Sequence, residues 1–341
     1  MAIGPRAPVV ALRGRGVRGR ARAGGKGGRA RGSGRSRGVA APANDDFQSF
    51  DDLDQGNQLP EFEPNRPPAV YIGRPVTRNT MTRAFEFFHL FFTTSIVSDI
   101  VKYTNSYAYE HIMEESHRSY TQPDGSWLEV TSEEIERLIA LLLYFGPVKV
   151  GGSVDRYWST KTLYHGLWAR AIMGRNRYRA LMAMLHVVDP ATETPGDKLR
   201  KVASFINSFK KKCIELYQPR QNVAIDERMV KSRHRSGIRQ YIKDKPTKWG
   251  IKLWVLAESS NGYTIDFDVY IGRAAGRNVT ANGLGYDVVM KLMNKFLDQG
   301  YHLYVDNFYT SVTLFKDLFA RGVAATGTII ESRRDFPVSQ E

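Results

Sequence analysis

The change of hydrophobic period at Pro219 constrains this chain more than any other feature. Before it, apolar residues recur at helical spacing; after it, short runs read as strands with two helices between them. Asn222 to Met229 is an apolar run interrupted by Asp226-Glu227-Arg228, and Ile251 to Ala257 is a second run. Tyr263 to Ile271 alternates through Ile265, Phe267 and Val269, and the Asn261-Gly262 step marks a hairpin turn between the last two strands. Asp287 caps an expected helix through Val289, Leu292, Met293 and Phe296, closed by Gly300. His302 to Asp306 then reads as a strand, Ser311 to Gly322 as a helix, and Ala324 to Ile330 as a last strand.

The order β-β-β-α-β-α-β predicts an antiparallel set followed by a helical crossover. If the fourth strand lies parallel to the first, as in a ribonuclease H-like sheet, Asp226 and Asp306 face each other at its centre. Carboxylates in apolar central strands are costly unless a cation or hydrogen bonds compensate them. A shared ion is one solution, and hard oxygen donors suit Mg²⁺ or Mn²⁺. The alternative is an arginine partner for Asp226 and a turn-capping role for Asp306.

The upstream half predicts helices. Thr131 and Glu134 have capping-box spacing ahead of Ile135, Leu138, Ile139 and Leu142. Tyr178, Leu181, Met182 and Leu185 form a second apolar stripe, and Val202, Phe205, Ile206, Phe209, Cys213 and Leu216 a third. Cys213 is the only cysteine, which excludes a disulfide framework and a cysteine-built zinc cluster; its place on the stripe reads as core. His89, His111, His117, His165 and His186 are scattered without metal-ligand spacing. The apolar runs are too short for a membrane span, so no membrane partner is expected.

Charge points to a polyanion. Lys and Arg number 49 against 35 Asp and Glu, a net +14. The first 40 residues hold ten Arg, Lys26, eleven Gly and no acid. They read as a disordered tail over 1–44, able to neutralise phosphates and stack on bases. Residues 45–70 read as an acidic linker. The folded remainder is itself basic, so nucleic-acid binding need not rest on the tail. Lys243, Lys245 and Lys248, interleaved with Tyr241 and Trp249, form a basic segment that suits phosphate or simply makes a solvated hairpin.

Several ordered motifs resemble the piggyBac transposase family. They are Asn222-Val-Ala-Ile-Asp226-Glu227-Arg-Met, then Arg239-Gln-Tyr241 through Lys252, Tyr270-Ile-Gly272-Arg273, Val305-Asp306-Asn307-Phe-Tyr-Thr310-Ser311, Gly327-Thr328, and Arg333-Arg334-Asp335-Phe336-Pro337. Upstream, Ile100 to Asn105, Glu133 to Phe145, Tyr157-Trp158 and Arg177 to Asp189 are similar to the family's helical dimerisation and DNA-binding region. The resemblance implies a nuclear DDE/D-type transposase that cleaves DNA and joins it at TTAA sites, with aspartates holding Mg²⁺ on a ribonuclease H-like fold. Asp226 matches the first aspartate and Asp306 the second, as catalytic and metal-binding residues. Lys243, Lys245 and Lys248 lie in the region that the family places beside the centre, and they, with Arg273, Arg333 and Arg334, are expected to contact DNA.

The family pattern places its third aspartate farther downstream than residue 341, and Glu331, Asp335 and Glu341 are poor substitutes. The expectation is therefore an all-α dimerisation and DNA-binding region over 71–221, followed by a truncated α/β ribonuclease H-like domain over 222–341. It binds DNA with an incomplete core and weak or absent metal. Intact TTAA-directed catalysis by a longer product, and RNA binding through residues 1–40, stay open beside it. A homodimer is a further implied partner.

Overall fold

A strand that buries side chains on one face and meets two neighbours must be central, and β3 (Asn222–Lys231) is that strand. The computed structural model describes residues 59–72, 84–161, 167–232, 234–243, 245–272 and 280–330. In it β3 pairs antiparallel with β5 (Trp249–Glu258) and parallel with β7 (His302–Val305). β4 (Arg239–Tyr241) and β6 (Thr264–Val269) both pair with β5, and β8 (Ala324–Gly327) extends the sheet beyond β7. The order β4-β5-β3-β7-β8, with β6 on β5, is a mixed sheet.

Helix α7 (Leu284–Met293) connects β6 to β7, on the other side of β3, and α8 (Val312–Ala320) connects β7 to β8. Their apolar faces cover the sheet. Val223 and Ile225 of β3, Trp254 and Leu256 of β5, and Leu303 of β7 join Val289, Leu292 and Met293 of α7 and Leu314 and Leu318 of α8 in one buried cluster. Each fully buried side chain of this size contributes about 1.5–3 kcal/mol. Ser311 caps α8 by accepting from the Leu314 amide at 3.2 Å.

A second apolar cluster lies among the upstream helices α2 (Thr94–His111), α3 (Ser132–Tyr144) and α5 (Arg175–Met184). The capping box of α3 forms as the spacing predicts: Thr131 Oγ1 accepts from the Glu134 amide, and the Thr131 amide donates to Glu134 Oε2. The buried stripes are offset from those expected, by one position in α3 and by two in α5. In α3 Leu141 is buried and Leu142 is exposed, while in α5 Met184 is buried and Met182 is exposed. Among the described residues the other upstream α-helices are α1 (Ala84–Phe91), α4 (Ala169–Ile172) and α6 (Ala203–Leu216), and Cys213 of α6 is buried.

Three other expectations need correction. Residues 59–70, read as the end of a linker, pack on the body. Phe62 meets Tyr301 edge-on at 5.0 Å, Arg66 donates to the carbonyls of Ile214 and Glu215, and β1 (Ala69–Val70) pairs with β2 (Tyr217–Gln218). Composition marked the acids here and missed the apolar and guanidinium anchors between them. Asp287 does not cap α7, which begins at Leu284 after Gly283 at φ 91°. Its carboxylate instead accepts from the amide and hydroxyl of Thr280. The extra strand β4 lies within the basic segment and is too short to show alternation.

Candidate functional site

Register builds the site. Ile225 of β3 lies beside Val305 of β7, so the next residue of each strand path, Asp226 midway along β3 and Asp306 just past the end of β7, emerges side by side. Glu227 follows Asp226 with opposite strand parity, on the side of Val223 and Ile225. Each of the three offers a carboxylate oxygen, and these atoms lie within 4.8 Å of one another. Sequence reasoning paired the two aspartates and missed Glu227.

The three carboxylates are not equivalent. Asp226 and Asp306 are exposed, whereas the Glu227 side chain is only 13% exposed. Lys245 lies 3.7 Å from Glu227 Oε1, Lys252 lies 3.9 Å from the same atom, and the Tyr309 hydroxyl donates to Oε2 at 3.4 Å. Burial pushes the buried Tyr309 hydroxyl far up from its ordinary pKa, and the negative charges of Glu227, Asp306 and Asp226 push the same way, so it remains a proton donor. Glu227 is thus compensated from within the protein, and its two aspartate neighbours face solvent.

Local hydrogen bonds orient those two. Asp226 Oδ1 accepts from the Glu227 amide at 2.7 Å, and Asp306 Oδ1 from the Phe308 amide at 2.9 Å. The Asp306 carbonyl accepts from the Thr310 amide and hydroxyl, at 3.2 and 2.9 Å. Asp306 therefore also caps the turn into α8, and the turn-capping alternative and the paired-carboxylate reading hold together. The expected arginine partner of Asp226 is replaced by Lys245, at 4.0 Å from Oδ1.

All-oxygen donors, two of them open to solvent, fit a hard divalent cation such as Mg²⁺ or Mn²⁺. Asp226 and Asp306 would hold it, with Glu227 adjoining.

Comparison with known proteins decides the family. A family model described as Transposase IS4 matches residues 83–341. Human piggyBac transposable element-derived protein 3 is 28% identical over 253 residues, covering 73% of this chain and 40% of that protein. Human piggyBac transposable element-derived protein 2 is 27% identical over 254 residues, again covering 73% and 40%. A cryo-EM structure of piggyBac transposase, a synaptic complex with hairpin DNA, aligns with a TM-score of 0.63 at 27% identity, covering 76% of this chain and 53% of that one. The chain belongs to the piggyBac transposase family. It spans well under half the length of these two curated relatives.

Within this piggyBac family fold, the basic segment is the β4–β5 ribbon. Lys243 and Lys248 are exposed on it, and Lys245 bends back to the carboxylates. The Ile242 amide donates to the Lys248 carbonyl at 2.9 Å, closing the ribbon. Lys252, which sequence reasoning did not single out, is 14% exposed and also lies 5.0 Å from the Phe308 ring. Arg273, Arg333 and Arg334 lie outside the described residues, as do Glu331, Asp335 and Glu341 and the tail of residues 1–44. Among the described residues no single helix is long and apolar enough to cross a membrane.

Proposed function

We propose that residues 1–341 act as a transposase-derived DNA-binding unit in the nucleus, engaging the phosphate backbone where Asp226 of β3 meets the end of β7. The observation that carries this reading is the contact of a basic ribbon, through Lys245, with Asp226, one of two exposed aspartates that stand side by side. Lys243 and Lys248 are exposed and can meet phosphate, and the net charge of +14 supplies long-range attraction. Asp226 and Asp306 would hold a divalent cation, which would supply positive charge towards phosphate.

A second reading is Mg²⁺-dependent strand cleavage and joining at TTAA sites, favoured by the close approach of three carboxylates. We rank it second because Glu227 is already engaged by two lysines and Tyr309, whereas two-metal displacement needs several free acidic ligands. The glycine- and arginine-rich tail supports a third reading, RNA binding, which deletion of residues 1–40 would abolish.

The test is a labelled duplex titrated with the full chain at rising salt, with and without Mg²⁺ or Mn²⁺. The first reading expects affinity that falls steeply with salt, without nicking. Nicking that Asp226→Ala abolishes would put the second reading first. Absence of low-salt binding would eliminate both.

A further inference from the structure

The β4–β5 ribbon carries a feature that the carboxylate centre does not use. Tyr241 and Trp249 are a registered cross-strand pair, with ring centroids 4.9 Å apart. Aromatic pairs of this kind normally close a core, yet these rings are 52% and 49% exposed. The Arg239 guanidinium sits 4.6 Å from the Trp249 ring centre and extends the flat surface. The ribbon beneath is tightly built, because a Cβ on Gly250 would overlap the Val230 carbonyl.

Strand parity fixes which way the pair faces. Residues 249, 251, 253 and 255 of β5 share one side of the sheet, and Val255 is registered with Asp226. Tyr241, opposite Trp249, shares that side, as does Asp306 through the register of β3 with β7. One sheet face therefore holds two exposed rings, the exposed aspartates and, on the ribbon, the exposed cations Lys243 and Lys248. Rings with interleaved cations match a single strand, whose bases offer free faces while its phosphates meet the lysines. A closed duplex offers its phosphates and groove edges but keeps the base faces stacked inside.

We propose that Tyr241 and Trp249, backed by Arg239, form a stacking platform for unpaired DNA bases on the sheet face of Asp226 and Asp306. This rests on the DNA-binding reading above and specifies the form of DNA: a duplex that carries an unpaired stretch. The rings hold the bases and the ribbon lysines the backbone, so the unpaired strand runs along the face that presents the carboxylates.

The experiment compares the full chain on three labelled probes: a blunt duplex, the same duplex with an unpaired DNA tail, and the same duplex with an RNA tail. The wild-type chain is expected to prefer the DNA-tailed duplex to the blunt one. Trp249→Ala and Tyr241→Ala should each lower affinity for the DNA-tailed duplex about tenfold, and change affinity for the blunt duplex by less than about twofold. Trp249→Phe, which keeps a ring face, should retain most of the affinity. As a second readout, tail binding should quench a part of the tryptophan emission that Trp249→Phe lacks, which is informative even if an alanine variant folds poorly. Equal losses on blunt and DNA-tailed probes, or no loss on either, would overturn the platform. An equal loss on the RNA tail would overturn its assignment to DNA. Failure of the wild-type chain to bind any duplex at low salt would instead sink the underlying DNA reading.

Discussion

The Lys245 ammonium lies 4.0 Å from Asp226 Oδ1 and 3.7 Å from Glu227 Oε1, so a loop lysine and a divalent cation draw on the same carboxylates. At about 4 Å a unit charge acts with about 1 kcal/mol in a water-like medium and more where solvent is thinner. Lys245→Gln is therefore expected to raise Mn²⁺ affinity about three- to tenfold, and Asp226→Asn or Asp306→Asn to lower it at least about tenfold. Isothermal titration with Mn²⁺ alone reads both. Weaker binding in Lys245→Gln would mean that the lysine orients the carboxylates instead of competing for them.

The position of Asp306 depends on a glycine in the neighbouring strand. Gly327 of β8 is registered with Val305 of β7, and a Cβ there would overlap Thr310 Oγ1 and come 3.0 Å from the Val305 carbonyl. Thr310 is the residue that donates twice to the Asp306 carbonyl. Gly327→Ala should cost about 1–3 kcal/mol of stability by overpacking. It should also weaken Mn²⁺ binding, although residue 327 carries no ligand. Urea denaturation and metal titration together check this, and an unchanged metal affinity in a destabilised variant would uncouple the turn from the site.

Cys213 offers a test of the helical packing. It is 4% exposed on α6, and burial pushes its thiol up to about 11. The thiolate fraction at mildly alkaline pH is then about two orders of magnitude below that of a free cysteine. Alkylation of the native chain should run at least about a hundredfold slower than in denaturant. Similar rates in the two conditions would contradict the buried placement.

Much of this was legible in the sequence because parity and order are strong constraints. An acid at the fifth position of an apolar strand, and another at the end of a strand reached by a crossover helix, had to meet if the two strands paired in parallel. The capping box at Thr131 and Glu134 likewise reads directly from spacing. Glu227 was harder. Its parity places it on the buried side of β3, but its compensation comes from Lys252 and Tyr309, which reach it only through register and tertiary folding. The pairing of β1 with β2 could not be read either, since two-residue strands show no period. The buried stripes of α3 and α5 fall one and two residues from the expected positions because closely spaced leucines and methionines fit several helical faces equally well.

The Glu134 and Arg177 pair supplies the pH test. Arg177 grips the carboxylate with Nε and Nη2, both at 2.7 Å, and also donates to the carbonyls of Leu128 and Glu129. The Arg177 hydrogen bonds hold the Glu134 carboxyl below its ordinary value; burial opposes them, while the arginine charge and the Thr131 amide assist. Because the folded value is depressed, the stabilisation is complete above the ordinary carboxylate range and is lost as pH falls through the lowered value. Glu134→Gln retains an acceptor for the Thr131 amide and removes the charge. It should cost about 1–3 kcal/mol near neutral pH, shrinking towards zero as the wild-type carboxylate becomes protonated. Urea denaturation of both proteins, at neutral pH and at successively more acidic values, reads the difference. A cost that stays constant across that window would show that shape, and not charge, is what Arg177 requires of residue 134.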